Sequence, residues 1–202
     1  MDDADPTAMF ERMYVAAAAA QDALPWERDG PHPLLEAWAS SVSGAGRRAL
    51  VVGSGLGADA EFISQLGFEV TGFDASPTAI ATCRRRHPDS AVHYRVADLL
   101  DLPAEYSGAF DLVLESLTVQ SLPPRYHPAA TANVSRTVAP GGTLLVIATA
   151  RAEGGDAPSG PPWPLTRAEV EAFAVGDLEP AQIEDIREPG VPARWRAEFQ
   201  RG

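Results

Sequence analysis

The chain has 202 residues, with 16 basic against 28 acidic side chains and a formal net charge of −12 at pH 7. That length fits one α/β domain with a sizeable core, and the acidic balance disfavours nucleic acid and anionic membrane as partners. Every basic residue is arginine, and the absence of lysine excludes a P-loop NTPase, a pyridoxal enzyme and a Schiff-base aldolase, each of which needs a lysine amine.

Met1-Asp2-Asp3-Ala4-Asp5 is acidic where a secretion signal is cationic, and no apolar run approaches the ~20 residues of a membrane span, so a cytoplasmic protein is expected. Residues 7 to 23 hold Met9, Met13 and the run Ala16 to Ala20, whose propensity and spacing predict a helix. The segment 24 to 33 has three prolines and a glycine and cannot continue it. Pro33 opens a second helix through about Ser41.

After Gly44-Ala45-Gly46 the pattern changes to short apolar runs: Ala49 to Val52, Glu69 to Phe73, Val92 to Val96, Phe110 to Glu115 and Thr143 to Thr149. Helical segments at 57 to 66, 77 to 86 and 125 to 138 lie between them, which implies crossover units and a mainly parallel sheet. The gap 97 to 109 has room for a brief helix. Cys83, the single cysteine, permits no internal disulfide and no zinc site of ordinary spacing, so it reads as a packed thiol and no metal is expected. Arg84-Arg85-Arg86 reads as a solvated helix end. Gly154 to Pro164 is too rich in glycine and proline for regular structure. Thr166 and Glu169 form a capping box that opens a helix to about Val175, and 181 to 187 and 193 to 200, parted by Glu188-Pro189-Gly190, form an antiparallel hairpin.

The chemistry gathers after the first strand. In Gly53-Ser54-Gly55-Leu56-Gly57 the first glycine allows a tight turn, the second lets a ligand approach the backbone, and the helix that follows presents free N–H groups. With Ala58 the run also satisfies a dinucleotide fingerprint. Asp74 ends the next strand, where a carboxylate can accept from both hydroxyls of a ribose, or else cap Ser76-Pro77. Asp98 ends the third strand and can take an exocyclic amine, or else stay a solvated turn residue.

Together these residues resemble the class I S-adenosylmethionine-dependent methyltransferases over about residues 47 to 150, and the closing hairpin is similar to that family's antiparallel seventh strand. The resemblance implies a doubly wound, mainly parallel seven-stranded α/β sheet, Rossmann-like, with S-adenosyl-L-methionine as cofactor and S-adenosyl-L-homocysteine as product. It assigns the methionine part to Gly53, Ser54, Gly55 and Gly57, the ribose to Asp74 with Ala75, and the adenine to Asp98 with Leu99. Glu115 falls beside the sulfonium, and Pro140-Gly141-Gly142 looks like the turn before the fifth strand. Val51 stands where many members have an acid. Pro25-Trp26 and Pro31-His32-Pro33 are similar to the thiopurine and tellurite-resistance branch of small-molecule methyltransferases, in which Trp26 would close over the cofactor rather than merely anchor the first helix.

The expected organisation is a single methyltransferase domain, with 1–44 an N-terminal lid segment, 45–150 the cofactor-binding core and 151–202 a lid loop, helix and hairpin. Residues 1 to 33 and 154 to 164 are expected to order on binding, with Trp26 and Trp163 as apolar contacts. The expected partner is a small-molecule methyl acceptor, and the expected state a monomer or weak homodimer. Candidate catalytic groups are His32, Glu115 and His127, and candidate acceptor contacts Thr118, Gln120 and Trp163. Sulfur is favoured slightly over oxygen or nitrogen as the accepting atom. The sequence reveals no paired histidine and carboxylate, and a thiol supplies some of its own anion at neutral pH. An NAD(P)-binding oxidoreductase and a non-catalytic S-adenosylmethionine-binding protein are the alternatives; the missing lysine removes the Tyr-x-x-x-Lys pair of short-chain dehydrogenases.

Overall fold

The structure, a computed structural model, describes residues 7–20, 22–24, 26–155 and 158–202. Met1 to Asp5, Pro25 of the Pro25-Trp26 pair, and Asp156 and Ala157 of the glycine-proline loop lie outside the described residues. Six helices are described, α1 (Ala8–Ala20), α2 (Pro33–Trp38), α3 (Ala58–Gln65), α4 (Pro77–Arg86), α5 (His127–Arg136) and α6 (Arg167–Glu171). Seven strands accompany them: β1 (Arg48–Val52), β2 (Glu69–Asp74), β3 (His93–Val96), β4 (Phe110–Ser116), β5 (Val138–Thr149), β6 (Leu178–Ile186) and β7 (Arg194–Arg201). The strands form one seven-stranded sheet in the order β3-β2-β1-β4-β5-β7-β6.

The chain divides into two compact units, residues 1–101 and 102–202. In the first, β1 pairs with β2 and β2 with β3, all parallel, with Val52 opposite Phe73 and Asp74 opposite Val96. The strands are joined through α3 and α4. Ala49 to Val52 are buried without alternation, the pattern of a strand covered on both faces. Gly57 starts α3, and Ser76 caps α4 by accepting from the Ala79 N–H at 2.9 Å. Arg84, Arg85 and Arg86 fill the last turn of α4, where cations suit the helix dipole, and Arg86 pairs with Glu27 at 2.6 Å.

In the second unit β4 and β5 are parallel, while β7 runs antiparallel to both β5 and β6. The edge strand β6 keeps Glu179, Glu184 and Asp185 along its length, charges that discourage edge-to-edge pairing. Several sequence boundaries move. β5 starts at Val138 rather than Thr143: Pro140-Gly141-Gly142 is a bulge inside the strand, held by Gly141 at φ 72° and by Gly142, where a Cβ would stand 2.8 Å from the Ala139 carbonyl. α6 stops at Glu171 because the Phe173 N–H tightens onto the Val170 carbonyl and Gly176 turns left-handed at φ 67°. The 97–109 gap holds the brief helix that the sequence leaves room for, a single 3-10 turn, Ala104–Tyr106. Among the described residues no helix is long and apolar enough to cross a membrane.

Candidate active site

In the first unit the chain leaves β1 through three left-handed glycines, Gly53 (φ 59°), Gly55 (φ 53°) and Gly57 (φ 95°). The Ser54 N–H donates to the Phe73 carbonyl at 2.7 Å and the Gly57 N–H to the Ser54 carbonyl at 2.9 Å, so the turn is sewn to the end of β2. Gly57 is fixed by crowding as well as by φ, since a Cβ there would stand 2.5 Å from both Cys83 Sγ and Tyr94 Oη. Burial pushes the Cys83 thiol up to about 11, so it stays protonated and inert.

Asp74 is buried at the end of β2 and ties the turn together. Its Oδ2 accepts from the Gly55 N–H at 3.1 Å and its Oδ1 from the Ser76 N–H at 2.9 Å. Burial raises its pKa, with the Glu11 charge adding to the effect and the Ser76 and Gly55 N–H groups opposing it. The capping role is therefore real, and each carboxylate oxygen still has a lone pair for a ligand hydroxyl. Its neighbour Ala75 is half-buried. Asp98, half-buried at the end of β3, accepts from the Leu100 N–H at 2.8 Å, and Leu99 beside it is buried.

Sequence reading missed α1's part in this cradle. Glu11 accepts from Ser76 Oγ, from Thr78 N at 3.2 Å and from Thr78 Oγ1 at 2.7 Å, which clamps α1 onto the start of α4. Those hydrogen bonds, that from Ser76 first, hold its carboxyl below the usual range. One turn later Tyr14 is buried with its hydroxyl over Gly55, 3.2 Å from where a Cβ would be. The signal in the sequence was Phe10, Met13, Tyr14 and Ala17 at helical spacing. These residues pack with Leu24, Trp26, Leu56 and Ala79. Trp26 anchors the helix after all: its ring meets Phe10 and Tyr14 edge-on at 6.1 and 6.0 Å, and its Nε1 donates to Tyr14 Oη at 3.1 Å.

His32 proves to be a structural cap. Its Nδ1 accepts from the Leu34 N–H at 3.2 Å at the start of α2, while its own N–H donates to Asp59 at 2.7 Å, a carboxylate that Arg28 also holds at 3.2 Å. The segment 28–32 is thereby fastened to α3.

The second unit carries the remaining candidates. Glu115 is fully buried; its Oε1 accepts from the N–H groups of Thr118 and Val119, each at 2.8 Å, and its Oε2 has no partner among the described residues. Burial pushes it up to about 7 against those two N–H groups. The turn that delivers them passes through Leu117 at φ 62°, a left-handed conformation that is strained in a side-chain-bearing residue. Thr118 is half-buried, and its hydroxyl donates to the Ser116 carbonyl at 3.3 Å.

Gln120 and His127 are committed to the fold. The Gln120 side-chain amide accepts from the Thr149 N–H at 2.6 Å and donates to Thr149 Oγ1 at 3.2 Å, and the Gln120 backbone carbonyl accepts from the Trp163 backbone N–H at 2.6 Å. His127 Nε2 faces the Leu122 carbonyl at 2.8 Å and its Nδ1 faces Glu169 Oε1 at 3.1 Å. Arg151 reaches the other Glu169 oxygen at 3.2 Å. The expectation that no histidine and carboxylate pair is thus corrected, because 42 residues of chain separate partners that the loop and capping box bring together. Both ring nitrogens face acceptors, so the pair is a strut rather than an available base.

Residues 50–146 match the methyltransferase domain family. The ubiquinone biosynthesis O-methyltransferase of Xanthomonas campestris pv. campestris (strain B100) is 33% identical over 132 residues, 60% of this chain and 54% of that protein. The chain thus spans about half the length of that curated relative. A structure described as the conversion of a disulfide bond into a thioacetal group during echinomycin biosynthesis superposes with a TM-score of 0.77 at 22% identity, covering 98% of this chain and 92% of the other. The TehB-like SAM-dependent methyltransferase from Corynebacterium glutamicum superposes with a TM-score of 0.65 at 19% identity, over 97% and 98% of the two chains. Residues 50–146 are thus similar to a methyltransferase domain, and the likeness to the solved structures is one of fold.

Proposed function

We propose that the protein binds S-adenosylmethionine and transfers its methyl group to a heteroatom of a small molecule. The observation that carries this reading is the left-handed glycine turn pinned by its Gly55 N–H to the buried Asp74 carboxylate. The residues fit the cofactor. Asp74 keeps acceptor capacity for ribose hydroxyls, Asp98 has a second oxygen for an amine, and the Ser54 hydroxyl is buried without a partner among the described residues.

When bound, the cofactor supplies a methyl group already activated on a sulfonium, so the chain's task is to hold, orient and exclude water. Asp74 and the turn fix the ligand, and the clamp from Glu11 to Ser76 and Thr78 holds α1 beside them. No nucleophile on the protein is needed.

Sulfur is favoured slightly over oxygen or nitrogen as the accepting atom, because a thiol supplies some of its own anion at neutral pH, whereas the Glu115 carboxyl is fully buried with one oxygen held by the Thr118 and Val119 N–H groups. Assaying small thiols, phenols and amines for S-adenosylhomocysteine release tests the function: turnover in any class supports it, and none in any class, from protein that binds the cofactor, favours the non-catalytic binding protein instead.

A further inference from the structure

Resting on the cofactor reading, we infer that Tyr14 is a cofactor-contacting residue, its hydroxyl donating a hydrogen bond to the carboxylate of the cofactor's amino-acid part over Gly55.

Three observations carry this. The first is position: the Tyr14 oxygen lies so close above the middle glycine of the turn that a Cβ at Gly55 would be 3.2 Å away, with the Gly55 N–H itself held by Asp74. A ligand running along the turn therefore passes the hydroxyl. The second is direction. Trp26 Nε1 donates to Tyr14 Oη at 3.1 Å, and among the described residues the hydroxyl has no acceptor for its own proton, although the residue is only 6% exposed. A buried donor without an acceptor is costly, and a ligand oxygen satisfies it. The third is rigidity. Glu11, on the same face of α1 and one turn earlier, fastens the helix to Ser76 and Thr78, two and four residues past Asp74, so the hydroxyl is held in register with the ribose-binding carboxylate.

The chemistry selects an acceptor. Burial first, and the Asp74 charge after it, raise the tyrosine's pKa, keeping it a donor. Asp59 and Glu61 already occupy the first turn of α3, so the helix dipole adds no preference for a further anion there. In the cofactor's amino-acid part the ammonium only donates and the carboxylate accepts.

The test is calorimetric titration of the full chain with S-adenosylhomocysteine and with 5′-methylthioadenosine, which keeps adenine and ribose but lacks the amino-acid carboxylate. Tyr14→Phe is expected to weaken S-adenosylhomocysteine by about tenfold or more, one charge-assisted hydrogen bond, while leaving methylthioadenosine within about twofold. Trp26→Phe keeps the hydroxyl but removes the bond that aligns it, and is expected to show the same selectivity at smaller size. A purely structural tyrosine would weaken both ligands alike. Equal weakening, or none, overturns the assignment of Tyr14 while leaving the cofactor reading intact. Failure of the unsubstituted chain to bind either nucleoside overturns both.

Discussion

The turn after β1 and the turn after β4 both close a strand of the sheet with a buried carboxylate near at hand, yet they are built from opposite materials. After β1 the bend is made by glycines whose left-handed φ costs little, and Asp74 reaches in from β2 to tie the backbone. After β4 the bend passes through Leu117, a side-chain-bearing residue held left-handed, and the carboxylate is the strand's own Glu115 bonded to the two N–H groups that follow. The first turn leaves acceptor capacity on the buried Asp74 carboxylate. The second spends most of its polar groups on the fold: Gln120 on Thr149, His127 on Leu122 and Glu169, with one Glu115 oxygen left over.

The largest effect expected from this contrast is pH-dependent. Glu115 is raised from 4.5 to about 7 in the folded chain, so the native state binds the extra proton between those values. The stability it contributes is fully present below about pH 4.5 and is lost as pH rises through 7, to about 3 kcal/mol. Glu115→Gln removes that dependence, so urea midpoints of the variant should gain on the parent between pH 5 and pH 8. A parallel pH response in both proteins would show that the carboxyl is ordinary.

Next comes Asp74→Ala, which should weaken S-adenosylhomocysteine by ~1.5–3 kcal/mol, with Asp98→Ala costing less because adenine also gains from apolar packing. The reversed order would move the ribose elsewhere. Gly57→Ala should cost about 1–3 kcal/mol, from φ 95° and the crowding by Cys83 and Tyr94, and calorimetric melting would show a fall of several degrees. Smallest, Gln120→Ala should cost about 1 kcal/mol of stability in urea unfolding without changing nucleoside affinity, and a lost affinity there would break the distinction between the two turns.

How much of this was legible follows from the same contrast. Gly53, Gly55, Gly57 and Asp74 could be read from sequence because their roles are local: a residue type that tolerates positive φ, and a carboxylate at a strand end. Five strands were legible as apolar runs, and the last two as a hairpin around Glu188-Pro189-Gly190, although β6 is mostly exposed and starts at Leu178 rather than at 181. His127 with Glu169, and Tyr14 with Gly55, could not be paired, because each contact joins segments about 40 residues apart through side chains whose direction no periodicity encodes. His32 looked like a lid residue because its prolines signalled a turn, whereas the turn was that of a helix cap. The bulge at Pro140-Gly141-Gly142 was read as a strand boundary because glycine and proline mark both, and only the register with β4 distinguishes them.

The central claim is that the β1 turn with Asp74 holds an adenosyl amino acid. The most direct test is side-by-side calorimetric titration of the unsubstituted chain and Asp74→Ala with S-adenosylhomocysteine and with NAD. The account predicts saturable one-to-one binding of S-adenosylhomocysteine by the parent, sharply weakened in Asp74→Ala, and no comparable binding of NAD; tight binding of NAD with none of S-adenosylhomocysteine would contradict it.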